Sequence, residues 1–154
     1  MSRTPLHAEV ITTAPASAEE AVALLRQRGS RATPSRRFLL EALYATDQHL
    51  TADELAAGVH ERSPEVHLST IYRNLDELQR LGLVTHTHLG HGPVTYQLAS
   101  HAHAHLICNT CGHRVEAPDG LFVELEARAL ADHGFRVDPH HLAVFGTCAD
   151  CQSG

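Results

Sequence analysis

The chain has 154 residues, of which 43% are hydrophobic, with fourteen histidines, four cysteines, no tryptophan and a net charge of −6. That length and apolar fraction allow one medium domain or two small ones with a real core. The acidic balance excludes a uniformly basic nucleic-acid coat, although Arg26, Arg28, Arg31, Arg36 and Arg37 make a local positive cluster.

Residues 1–16 mix Thr, Pro, Ala and Ser without periodicity and read as a flexible leader. They hold no apolar core of the ~7–15 residues a signal peptide needs, and no later run approaches the ~20 apolar residues of a membrane span. The expectation is a cytoplasmic protein without a membrane partner. Ser17 and Glu20 have capping-box spacing, so a first helix opens there and ends near Gly29. Thr33-Pro34 starts a second, with Phe38, Leu39, Ala42 and Leu43 on one side. Thr51 and Glu54 start a third with Leu55 and Val59 inward. Ser69 is expected to cap a fourth, in which Ile71, Leu75, Leu78 and Leu81 keep helical spacing until Gly82.

After Gly82 the period changes. Residues 83–88 and 94–98 read as two strands joined by Gly90-His91-Gly92-Pro93, a wing on the helical unit. Residues 101–108 extend as another strand and residues 114–117 as a further one. Residues 121–133 read as a helix and residues 142–145 as a last short strand. The fold class is α+β: an N-terminal winged-helix (helix-turn-helix) DNA-binding domain over residues 17–98, then a C-terminal α/β domain over residues 99–154. The hinge is expected near residues 90–100.

Two knuckles, Cys108-Asn-Thr-Cys111 and Cys148-Ala-Asp-Cys151, can place four thiolates tetrahedrally around a structural zinc ion. Residues 112–147 are too many for the shortest zinc ribbon, so the ion is expected to tie a late strand to an early one. The competing reading, two disulfides or buried thiols, belongs to secreted proteins. Imidazole is the commonest metal ligand, and the alternating His101, His103 and His105 are expected on one face of a strand.

A long helix behind the turn Ser63-Pro-Glu-Val-His67 suits a helix-turn-helix, whose second helix lies in the major groove. Its first residues are Ser69, Thr70, Ile71, Tyr72 and Arg73. Ser69 and Thr70 can donate to phosphates or bases, Tyr72 can pack on a thymine methyl or sugar, and Arg73 can reach phosphate. Arg31 and Arg36 are candidates for phosphate or minor-groove contacts. The plain alternative is a helical core with an ordinary polar surface. A hydrolase would want a His-Glu-x-x-His, which is absent. A metal chaperone or storage protein would explain the histidines and leave the Ser69–Arg73 segment without purpose.

Arg31-Ala-Thr-Pro34-Ser-Arg36, Ser69-Thr-Ile-Tyr72-Arg73-Asn-Leu75, His105-Leu-Ile-Cys108-x2-Cys111-Gly112 and Gly146-Thr-Cys148-x2-Cys151 together resemble the ferric-uptake-regulator (Fur) family, in its order and near its spacings. The likeness covers about residues 18–152. It implies a homodimeric, metal-dependent transcriptional repressor on A/T-rich inverted-repeat operators, with a C-terminal dimerisation domain. By motif, Arg31 corresponds to the family's minor-groove residue, and Tyr72 and Arg73 to its major-groove and backbone contacts.

The family's regulatory site maps onto His49, His103 and His105, with His101 beside them. The carboxylate that iron and manganese sensors often contribute after the wing falls at Gln97, and no cysteine lies near Ala99. The phrase His86-Thr-His88-Leu-Gly-His91, with His141, is similar to the family's nickel-responsive branch. In that branch the equivalents of His86, His88 and His141 bind nickel, and those of His49, His101, His103 and His105 form the other site. Thiolate-free imidazole sites suit Ni(II), although zinc or copper would accept them. Nickel is therefore the expected regulatory metal, with iron or zinc as alternatives. A further family site has an acidic residue that lands on Val123; Glu124 next to it is turned by ~100° on a helix. That site is not carried over, although His140 matches its histidine. His7, His60, His67, His113 and His133 are assigned surface or local hydrogen-bonding roles.

Overall fold

The computed structural model describes residues 14–90 and 92–153. Most of the leader, with His7, lies outside the described residues, as does His91 of the wing turn. The chain divides into two compact units, one from residues up to Thr87 with Val94–His101, the other from His88–Pro93 with residues after His101.

The first unit contains α1 (Ala18–Gln27), α2 (Pro34–Tyr44), β1 (Leu50–Thr51), α3 (Ala52–His60), α4 (Leu68–Arg80), β2 (Val84–Thr87) and β3 (Thr95–Leu98). Its start signals are met by hydrogen bonds. Ser17 Oγ accepts from the Glu20 N–H, Thr33 Oγ1 from the Arg36 N–H, and Thr51 and Glu54 form a reciprocal capping box. Helix α4 begins one residue before the expected cap: His67 is its N-cap, without a side-chain bond, so Ser69 lies inside the first turn. Leu25, Leu39, Leu40, Leu55, Ile71, Leu75 and Leu78 meet in one core at 0–1% exposure.

The wing has three strands where the sequence suggests two. The two-residue β1, too short to show a period, pairs antiparallel with β3, giving the order β1-β3-β2.

The second unit contains β4 (His105–Cys108), β5 (Arg114–Glu116), α5 (Val123–His133), β6 (Ala143–Gly146) and α6 (Ala149–Gln152). Its sheet has the order β5-β4-β6, with β4 antiparallel to β5 and parallel to β6. Gly134 ends α5 in the left-handed region at φ 61°. The expected strand over residues 101–108 is halved. Residues 99–101 close a 3-10 turn and extended pairing starts only at His105, because the partner segment supplies ladder bonds from Ala143 onward. The histidine run therefore does not lie on one strand face.

Candidate metal centres and nucleic-acid interface

The cysteine cluster follows from strand register. Strands β4 and β6 are parallel, with Cys108 opposite Gly146, so Cys148 emerges two residues later at the same end of the sheet. The Asn109 N–H donates to the Gly146 carbonyl at 2.9 Å and the Gly112 N–H to the Cys108 carbonyl at 3.0 Å. That turn needs φ of +76° at Gly112, a conformation glycine adopts without strain. The Cys151 N–H donates to the Cys148 carbonyl at 3.1 Å in the first turn of α6.

The four sulfurs lie within 4.8 Å of one another as free thiols, with Cys111 and Cys148 Sγ 3.7 Å apart. Tetrahedral zinc with Zn–S bonds of ~2.3 Å requires S···S separations of roughly 3.8 Å, so the set fits that ion and not a pair of bonded disulfides. Backbone N–H groups of Cys111 and Cys148 hold the Cys108 thiol down, to about 5. Hydrogen bonds with the neighbouring thiols of Cys111 and Cys148 push Cys151 up to about 12. Four sulfurs this close cannot all ionise by themselves; a divalent cation reverses that preference by supplying the opposing charge.

The histidines fall into several settings. His49 directly precedes β1 in the first unit. His101 ends the 3-10 turn, its Nδ1 3.5 Å from Asp47 Oδ1. His103 and His105 belong to the second unit, with ring centroids 4.5 Å apart, and His105 is 4% exposed. His103 Nε2 lies 3.3 Å from Glu116 Oε1 on β5.

His86 is on β2, opposite Tyr96, and its Nδ1 contacts Gln79 Oε1. His88 follows that strand and is exposed. His141 Nδ1 is 2.5 Å from Asp138 Oδ2, while Asp138 Oδ1 accepts the His140 N–H at 3.0 Å. These bonds overcome the desolvation that opposes them and lower the Asp138 carboxyl. A carboxylate on Nδ1 fixes an imidazole's tautomer and directs Nε2 toward a ligand role. His140 instead bonds the Ala102 carbonyl through Nδ1 at 2.9 Å. Neither Glu116 nor Asp138 stands out in the sequence. Asp138-Pro139 signals only a turn, and Glu116 reaches His103 through strand pairing across residues 109–113.

On α4, Ser69, Tyr72 and Arg73 are exposed, Thr70 is half-buried and Ile71 is at 0%. The turn before it is closed by the Val66 N–H bond to the Ser63 carbonyl and by His60 Nε2 on the Val66 carbonyl. Arg31 is exposed before α2. Arg36, a candidate for phosphate or minor-groove contact, is engaged by neighbours within the first unit. Its guanidinium donates to Asn74 Oδ1, Ser30 Oγ and the Arg31 carbonyl, because a neighbouring buried amide and carbonyl offer acceptors at bonding distance.

The model of the ferric uptake regulator family matches residues 27–145. The chain belongs to that family. At 34% identity over 134 residues, covering 87% of the chain and 90% of the relative, it is similar to the peroxide-responsive repressor PerR of Staphylococcus aureus. The ferric uptake regulator of Vibrio cholerae matches at 30% identity and TM-score 0.63, over 82% of this chain and 98% of that one. The Pseudomonas aeruginosa ferric uptake regulator with manganese matches at 26% and 0.66, over 82% and 96%. The Helicobacter pylori ferric uptake regulator Fur, described with three functional metal binding sites, shares the fold at 20% and 0.70, over 90% and 95%.

Fur-family proteins are non-enzymatic, dimeric DNA-binding repressors, and this chain is a metal-responsive transcriptional regulator of that kind. The hydrolase and chaperone readings are set aside. Among the described residues, no helix is long and apolar enough to cross a membrane.

Proposed function

We propose that this regulator responds to nickel, repressing from A/T-rich inverted-repeat operators as a homodimer in the cytoplasm. The observation that carries the reading is the division of donors. All four thiols are committed to one cluster, which leaves imidazoles as the remaining soft-to-borderline ligands. In this reading Cys108, Cys111, Cys148 and Cys151 hold a permanent zinc. His49, His101, His103 and His105 form a regulatory site, and His86, His88 and His141 a nickel site. Asp138 on His141 and Gln79 on His86 support the last assignment, since each engages Nδ1 and directs Nε2 to the ligand role. Gln97, 4% exposed, brings no negative charge where a carboxylate would favour a harder ion.

Residues 17–98 serve as the DNA-binding domain and residues 99–154 as the metal-binding dimerisation domain. Ser69, Thr70, Tyr72 and Arg73 face the major groove and backbone, and Arg31 the minor groove. The regulatory metal supplies differential affinity for the DNA-competent state; ~1–3 kcal/mol of coupling gives about 5–150-fold tighter binding. Imidazole must be neutral to ligate, so the response weakens below pH ~6.5.

A second reading, iron-dependent peroxide or iron sensing, is favoured by the 34% identity to PerR and by Glu116 beside His103. Titration of zinc-loaded protein with Ni(II), Zn(II), Fe(II) and Mn(II), reading affinity for an A/T-rich palindrome, separates the two. Nickel is expected to tighten binding, and His86→Ala and His141→Ala to abolish that effect. Nickel activation that survives both substitutions overturns the assignment, and activation by Fe(II) alone, lost on peroxide, establishes the second reading.

A further inference from the structure

Helix α4 carries one buried polar residue in its apolar stripe: Asn74, 5% exposed, beside Ile71, Leu75 and Leu78. A buried amide is costly unless bonded, and both ends of this one are. Its Nδ2 donates to Ser35 Oγ at 2.8 Å, and its Oδ1 accepts from Arg36 Nε at 3.0 Å. Arg36 Nη1 also donates to Ser30 Oγ at 2.9 Å and to the Arg31 carbonyl at 2.8 Å. Ser30 in turn donates to Glu77 Oε1 at 2.8 Å, and Arg28 Nη1 donates to the Leu81 carbonyl at 3.2 Å. Successive turns of α4 are thus laced to the first turn of α2 and to the connector between α1 and α2.

The connector carries Arg31, and α4 carries Ser69, Thr70, Tyr72 and Arg73. Apolar packing is non-directional and leaves a helix some freedom to roll, whereas hydrogen bonds weaken steeply off axis. Neighbouring residues are separated by ~100° around a helix, so even a modest roll carries the tips of Thr70 and Arg73 away from a groove. A planar guanidinium with a fixed fork of donors is suited to lock that angle.

We propose that Arg36 and Asn74 are positioning residues for DNA recognition: their network sets the rotation of α4 and anchors the backbone of Arg31, so that both DNA-facing segments are presented together. This rests on α4 being the helix that reads DNA. Neither residue itself touches DNA.

The test uses the full chain, loaded with zinc and activating metal, and two probes: a duplex enriched from a random pool by the wild-type protein and a scrambled duplex of equal length. Affinities are measured across a salt series, with folding followed by circular dichroism. Arg36→Lys and Asn74→Ala are expected to weaken the enriched duplex by ~10-fold or more, leaving scrambled binding and the salt slope unchanged, since no phosphate contact is lost. Ser30→Ala, at a half-buried site that tolerates truncation, is expected to cost ~3-fold, with Ser30→Thr restoring binding. Should Asn74→Ala fail to fold, Arg36→Lys and the Ser30 pair decide.

Wild-type affinity in Arg36→Lys and Ser30→Ala overturns the proposal. So does a fall in salt slope of about one with equal loss on both duplexes, the signature of a direct phosphate contact by Arg36. Arg73→Ala binding both duplexes like wild type strikes the reading of α4 itself, a result distinct from failure of the network alone.

Discussion

Helices α4 and α5 both carry leucines, and those leucines meet opposite fates. In α4, Ile71, Leu75 and Leu78 are at 0% exposure, while Leu125 and Leu130 of α5 stay at 48% and 51%. The sheets repeat the contrast: every residue of β3 is buried, whereas Val115, Val144 and Phe145 around β4 are exposed. The first unit encloses its own core. The second displays apolar surface of the kind that marks protein–protein contact, in a family whose members are dimeric. Its internal coherence is expected to come from the metal cluster that joins β4 to β6, and its cover from a second copy.

Removal of zinc, or Cys148→Ser, breaks this contrast most severely. The second unit is expected to lose its cooperative transition and its dimer, while the helical signal of the first unit persists, because a structural zinc site contributes folding energy outright. Two melting transitions before chelation and one after it would show this; a single transition in both states would mean that the units are not independent.

Leu39→Ala acts on the other side. Truncating a leucine at 0% exposure in α2 costs ~2–5 kcal/mol, read as a drop in the first transition with zinc content unchanged. Phe145→Glu puts a charge on the exposed face of β6 and is expected to weaken dimerisation by at least ~30-fold in sedimentation, with the monomer still folded. Retention of the dimer would place the contact elsewhere.

The smallest effect concerns pH. Hydrogen bonds from Arg80 and then Ser30 lower the Glu77 carboxyl from 4.5 to about 2. A depressed folded-state value contributes stability above the unfolded one and loses it as pH falls from about 4.5 toward about 2. Glu77 is half-buried and its partner Arg80 is exposed to water, which screens the pair, so the change is small. Glu77→Gln should flatten the pH dependence of the first transition across that window.

Much of this protein was legible without coordinates because its signals are local. Ser17 with Glu20, Thr33-Pro34 and Thr51 with Glu54 announce helix starts through bonds within one turn, and the stripe from Ile71 to Leu78 announces a buried face. The spacing of Cys108 with Cys111 and of Cys148 with Cys151 announces a thiolate cluster, since each pair is one tight turn. Long-range pairing decided the rest. The strand β1 exists only because β3 lies beside it, the histidine run at 101–105 breaks because Ala143 is where its partner begins, and Glu116 and Asp138 gain meaning only through the rings they meet. In the sequence Arg36 is a candidate for phosphate or minor-groove contact. Only the packing of α4 against the start of α2 put the Asn74 amide within its reach, and a side chain's acceptors are set by neighbours in space, which periodicity in sequence does not encode.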